Sequence, residues 1–395
     1  MIELTEIGLF LVLFVALFVG WAMGRKNPTK KNKQTKKSIP TDYFRGLNHL
    51  LNDQHSEAID AFVDSLEVNS DTFDIHLTLG NLFRKKGEIQ KAINIHQNLL
   101  ARPEISQREM RMVQLELASD FMSAGLLDRA GRLLLNMAST SRKTEFQPKI
   151  LTLLVDLYEF EQSWDKAIQI GSELIKEAPT KKEIKRLAHF HCEMAQESQK
   201  KEQWKHAFQY YKEALDVDSS CVRASIGAAD VLNSQGRYRD AIKELKHAAE
   251  QDPEFISIIL PKLKECYQKV WGSGGYIKFL QEQNQKKPSA ALIMGLVQHY
   301  METDKDYAEM FLVEQLRLHP TIKGFKELIS LQLADSQGYN QQHLVVLYEL
   351  IDQLVQAKHK YQCRQCGFPG HQLHWQCPSC KNWGVVKPIH GLEGE

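Results

Sequence analysis

The sequence is poor in the features that mark an enzyme. Its 395 residues hold no Walker-type phosphate loop, no Rossmann glycine pattern and no His-Glu-x-x-His pair, and the Gly-Ser-Gly-Gly run at 272–275 lacks the flanking residues of a nucleophile elbow. No catalytic residue and no organic cofactor site can be named from it. Cysteine is scarce too. There are seven, of which Cys192, Cys221 and Cys266 stand singly in helical patterns, as small buried hydrophobes do. The other four form two Cys-x-x-Cys pairs, so a dispersed disulfide framework is excluded and a reducing compartment fits. Neither charge is in excess, with 50 Lys and Arg against 49 Asp and Glu. Seven of the basic residues crowd into positions 1–37 against Glu3 and Glu6, which leaves the remainder at about −4. A mildly acidic body argues against a nucleic-acid partner, whose phosphates need a basic face.

Charge is missing altogether from Ile7 to Gly24, IGLFLVLFVALFVGWAMG. Eighteen helical residues rise about 27 Å, nearly the thickness of a hydrocarbon core. A cleaved signal peptide needs a basic start, whereas here Glu3 and Glu6 precede the run and Arg25 and Lys26 follow it. The pattern predicts an uncleaved membrane anchor at 1–24 with its N-terminus outside and the basic flank, and so the rest of the chain, in the cytoplasm. Residues 25–40, almost without apolar side chains, read as a flexible basic linker.

Beyond the linker the chain repeats. Gly46 and Gly80 are 34 residues apart, as are Ala58 and Ala92, and again Ala207 and Ala241. Aligning on the alanine gives Ala58, Ala92, Ala130, Ala167, Ala207, Ala241 and Ala308, with Gly275 filling the last gap. Three residues earlier stand Ile89, Leu127, Trp164, Trp204 and Tyr238, one helical turn away on the same face. Twelve earlier come the mostly small Gly46, Gly80, Ala118, Val155, Ala195 and Ala229, as a close crossing of two helices requires. Phe62, Leu134, Tyr211 and Leu245 lie four residues after the alanine, where His96 and Gly171 depart from the expected bulk. Pro179, Pro253, Pro288 and Pro320 close several units. This pattern resembles the tetratricopeptide repeat over residues 41–335, which implies a superhelical solenoid of helical hairpins with a protein-binding concave side. A terminal helix is expected at 336–360, with Leu344, Leu347, Ile351, Leu354 and Val355 on one stripe.

Cys363, Cys366, Cys377 and Cys380 follow almost at once. Two Cys-x-x-Cys turns ten residues apart can aim four thiolates at one ion, with metal–sulfur distances of about 2.3 Å, and the ligands alone admit zinc or iron. His371 and His374 lie in the intervening loop and are surplus to a four-cysteine set. Trp375 and Trp383 bracket the second pair and are expected to shield the thiolates and supply a small core. YQCRQCGF followed by CPSC resembles the rubredoxin knuckles, over residues 361–386, although Lys381 replaces the second glycine and the loop is shorter. A nine-residue tail, 387–395, completes the chain.

The expected fold class is therefore all-α: an N-terminal transmembrane helix, a repeat solenoid and a small rubredoxin-like module. That order resembles the lipopolysaccharide assembly protein B family over the whole chain. The resemblance implies a non-enzymatic inner-membrane protein of Gram-negative bacteria that limits lipopolysaccharide synthesis. It would do so by linking the membrane protease FtsH to the lipid A pathway deacetylase, promoting the latter's degradation, and by coordinating assembly. A homodimer is compatible with the pattern. The rivals are a rubredoxin-like electron carrier, which would hold iron, and a membrane-tethered scaffold of unrelated purpose.

Overall fold

The structure, a computed structural model, describes residues 14–22, 73–103, 105–140, 144–270, 274–335, 339–392 and 394. The chain forms two compact units, Met1–Glu116 and Leu117–Glu395. The expected anchor at 1–24 lies mostly outside the described residues. Residues 14–22 are helical and largely exposed, and among the described residues no helix is long and apolar enough to cross a membrane. The linker and the first repeat, with Gly46, Ala58 and Phe62, also lie outside them.

The first unit contains the hairpin of α1 (Phe73–Lys85) and α2 (Ile89–Leu100) and most of α3 (Gln107–Ser123), which carries the boundary. Phe73, Leu99 and Val113 form one apolar cluster, and Leu79, Phe83 and Ala92 another. In the second unit, α4 (Leu127–Thr140) leads into further hairpins. These are α5 (Gln147–Phe160) with α6 (Trp164–Glu177), α7 (Lys181–Lys200) with α8 (Trp204–Val217), and α9 (Val222–Ser234) with α10 (Tyr238–Gln251). A 3-10 turn at Pro253–Phe255 precedes α11 (Ile256–Val270) and α12 (Gly274–Lys286), then α13 (Ala290–Thr303) with α14 (Lys305–Leu318), and finally α15 (Ile322–Asp335) and α16 (Tyr339–Ala357).

The alanine column is the innermost layer. Ala92, Ala130, Ala167, Ala207, Ala241 and Ala308 are fully buried. The two departures four residues later have a steric cause. His96 stands over Gly80, where an added methyl would come within 2.4 Å of the ring, and at Gly171 a methyl would press on Leu187 at 3.2 Å. Bulk missing on one helix is supplied by its neighbour, as close packing demands.

A second column was not read from the sequence. Five residues before Ala92, Ala130, Ala167, Ala207 and Ala241 the backbone turns left-handed, at Gly87, Gly125, Gln162, Glu202 and Gly236, with φ between 56° and 84°. The following amide donates across the helix end each time: Glu88 to Phe83 O, Leu126 to Phe121 O, Ser163 to Tyr158 O, Gln203 to Ser198 O and Arg237 to Leu232 O, at 2.8–3.0 Å. These are Schellman turns, which satisfy carbonyls left over at a helix end and fix the angle between the two helices. Between hairpins, Thr180, Asp252 and Ser289 cap the next helix or turn through side-chain oxygens, each beside a proline, and Asp304 caps α14 within its hairpin.

On α16 the predicted stripe divides. Leu344, Ile351 and Val355 are half-buried, whereas Leu347 and Leu354 are about half exposed, because the helix has α15 as its main packing partner and no further hairpin. After it, β1 (Tyr361–Cys363) pairs antiparallel with β2 (Pro369–Gly370) and β3 (Val386–Pro388), giving the order β2-β1-β3. These short strands are the one departure from an all-helical description among the described elements.

A left-handed backbone costs a side-chain-bearing residue about 1 kcal/mol relative to glycine. Glu202→Gly is expected to raise the unfolding free energy by about that amount, and Gly236→Ala to lower it comparably, as read from urea midpoints.

Candidate metal centre

Strand β1 delivers Cys363, and the turn after it carries Cys366. The amides of Gln365 and Cys366 both point to the Cys363 sulfur at 3.4 Å, and Gly367 takes φ of 76°. The second turn repeats this with Cys377 and Cys380, and Lys381, in the place of a glycine, adopts φ of 57°. The departure in residue type is therefore not a departure in backbone. Cys366 Sγ and Cys377 Sγ are 3.6 Å apart, Cys363 Sγ and Cys380 Sγ 3.8 Å, and all four lie within 4.8 Å of one another. A tetrahedron with metal–sulfur bonds of about 2.3 Å has edges of about 3.8 Å, so the thiols stand close to where one ion would hold them. Hydrogen bonds from Asn382 hold the Cys380 thiol down, at about 6, and the amide of Phe368 lowers that of Cys366. Both are thus disposed toward the thiolate form that metals bind. His371 and His374 are exposed and outside this cluster.

The module owns little interior. Cys363, Cys377 and Val386 form its own buried cluster, with Tyr361, Phe368, Leu373, Cys380 and Val385 packed beside them. The two tryptophans expected to fill it point elsewhere. Trp383, 7% exposed, stacks on His189 at 5.1 Å and meets Phe190 at 6.2 Å and Trp164 at 6.4 Å, both edge-on. Trp375 stacks on Phe255 at 5.3 Å. The Arg223 guanidinium lies over both indoles, at 5.7 and 5.9 Å, while Glu193 and Gln196 accept from it at 2.8 and 2.9 Å. A cation over two indole faces is favourable, the more so where water is excluded.

A polar clasp flanks this aromatic joint. Glu159, at the end of α5, accepts from the Trp383 indole at 2.9 Å, from the Gln376 amide at 2.5 Å and from Arg186 of α7. Burial lifts the Glu159 carboxyl above its usual range, with Arg186 and Trp383 opposing. Burial works against the Arg186 charge as well, but Asp156 and Glu159 hold its pKa above the ordinary value. Such a pair is costly to break from one side, since the remaining charge stays buried. On the opposite edge Lys387 bridges Asp252 and Glu254 at 2.8 and 2.9 Å, and Arg364 reaches Glu254 at 3.2 Å. The module is thus seated against α5, α7, α9 and the turn before α11, while the tail beyond it reaches the start of α15, where the Ile322 amide donates to Leu392 O at 2.9 Å. Glu159, His189, Arg223 and Phe255 carried no sequence signal for this. The tryptophans did, as large rings in a segment too small to bury them.

A helical-hairpin repeat array with a four-cysteine module docked on it defines a repeat protein with a built-in metal-binding module. The family model for a rubredoxin metal binding domain matches residues 361–388, and that for the tetratricopeptide repeat matches 200–258. The chain is 32% identical to lipopolysaccharide assembly protein B of Escherichia coli K12, over 98% of its own length and 99% of that relative's. It is 33% identical to the protein of the same name from Haemophilus influenzae, over the full length of both. The chain belongs to the lipopolysaccharide assembly protein B family. Among solved structures, a tetratricopeptide repeat protein from Parabacteroides merdae matches at 16% identity with a TM-score of 0.35, covering 72% of this chain and all of that one.

Two outcomes are expected. Trp383→Ala removes the joint's centre at a cost of about 3 kcal/mol, so the module should keep its metal but become susceptible to trypsin at Arg364 and Lys381. Burial lowers the His189 pKa well below 6.5, and Arg223 and Lys185 lower it further. A depressed histidine contributes stability above its free value that is lost as pH falls below about 6.5, because the undocked ring takes up the proton. The indole resonances of Trp375 and Trp383 should report undocking on acidification, and His189→Phe should flatten that response.

Proposed function

We propose that the chain is a non-enzymatic adaptor of lipopolysaccharide assembly, held at the inner membrane by residues 1–24 and a basic linker at 25–40, with repeats 41–335, helix 336–360 and module 361–386 in the cytoplasm. Cys363, Cys366, Cys377 and Cys380 ligate one ion, zinc or iron, whose chemistry here is structural. Four thiolates leave no open position for substrate. The protein brings the lipid A pathway deacetylase to the membrane protease FtsH and so limits precursor synthesis.

The observation that carries this reading is the seating of the module in the middle of the repeat array, which makes one continuous surface of two parts. Repeat arrays bind proteins through such surfaces. The match to lipopolysaccharide assembly protein B relatives from end to end supports the pathway.

The test is the half-life of the deacetylase after translation is blocked, with the chain present and depleted. A longer half-life on depletion is expected, and an unchanged one contradicts the reading. Cys363→Ser with Cys366→Ser should release the ion, measured by native mass spectrometry, and give the same lengthening. Full regulation by a metal-free variant would rule out the structural role of the ion.

A further inference from the structure

Between the module and helices α5 and α7 lies a cleft of about 960 Å³. Its charge is one-sided. Lys181, Lys182 and Lys185, from the first turns of α7, line it together with Lys381 of the module. All four are exposed, and none has an ion-pair partner among the described residues. The acids in the wall are already engaged: Asp156 and Glu159 with Arg186, and Asp218 with the amide and hydroxyl of Ser220. At the rim Phe160 is 70% exposed. The start of a long helix adds its own partial positive charge at Lys181.

We infer that this cleft is a docking site for an acidic segment of a partner protein, carrying an apolar side chain that covers Phe160. The inference rests on the adaptor reading and names the chemistry of what the adaptor holds. Shape separates a peptide from other anions. An extended chain or loop enters a cleft walled by the module on one side and helices on the other, whereas a bilayer surface does not. Because one wall carries Lys381 and the other Lys181, Lys182 and Lys185, the site exists only while the module is seated. Lys185 shows the dependence directly, since its side chain lies against Gly384, at 3.5 Å from where a Cβ would stand. Loss of the ion would therefore release the segment without touching a residue that contacts it.

The test uses the metal-loaded full chain in detergent and a fluorescein-labelled peptide of glutamates around one phenylalanine, read by anisotropy. A peptide with glutamine in place of glutamate is the control. The acidic peptide is expected to bind, more weakly as salt is raised. The triple variant Lys181→Glu, Lys182→Glu and Lys185→Glu should weaken it by about tenfold or more, since three attractive charges become repulsive. Metal content should stay at the parent value. Unchanged peptide binding by the triple variant overturns the proposal. So does loss of metal in that variant, which would show that the lysines neutralise the thiolates instead. Lysine-dependent binding of short-chain phosphatidylglycerol without peptide binding would make the cleft a lipid site. The two readings fail separately. A deacetylase half-life that still responds to the chain, with no peptide bound, removes the cleft alone. Peptide binding with an unresponsive half-life removes the adaptor role alone.

Discussion

Trp383 is where the two parts of the second unit are joined, and its position depends on four sulfurs that are not part of the joint. It lies three residues beyond Cys380, in a turn whose geometry follows from the knuckle. A segment of this size cannot bury enough apolar surface to fix such a turn by itself, and metal-binding energy in small modules is folding energy. The ion would order the knuckles, the knuckles aim Trp383 and Trp375 outward, and the repeat array supplies the interior that the module lacks. Leu373 and Trp375 accordingly pack against the apolar cluster of α9–α13.

The array contributes position more than affinity. Glu159, His189, Arg223 and Phe255 come from four separate places in the chain, and what brings them to one face is the repeat itself. Fully buried alanines let the paired helices approach, and the recurrent left-handed turn fixes how each pair opens. Two of those turns use Gln162 and Glu202 in a conformation glycine favours, so local strain is accepted where the hairpin angle is kept. Glu159 and Phe160, immediately before the first of these turns, face the module and the cleft.

The repeat columns were legible because they obey a helical period and a fixed spacing, and the four cysteines because ligand spacing is itself the signal. His96 and Gly171 looked like errors in the column until the opposing Gly80 and Leu187 were seen, since complementarity across helices is not written in either helix alone. Trp375 and Trp383 read from sequence as the module's own core and instead face the repeat array. Sequence shows that a ring needs burial and does not show which surface buries it. The seat of the module is not legible for the same reason: adjacency to α16 in sequence does not say which surface receives the module, and α16 keeps Leu347 and Leu354 exposed.

The measurement that tests the dependence of the joint on the ion is amide hydrogen exchange in the full chain, with metal bound and after chelation, followed along α7 and α9. If the ion holds the knuckles and the knuckles hold Trp383, chelation accelerates exchange around His189 and Arg223 while leaving α13 and α14 as they were. Equal protection of α7 and α9 in both states would contradict it, because the module would then be seated by its own packing with the metal incidental to the joint.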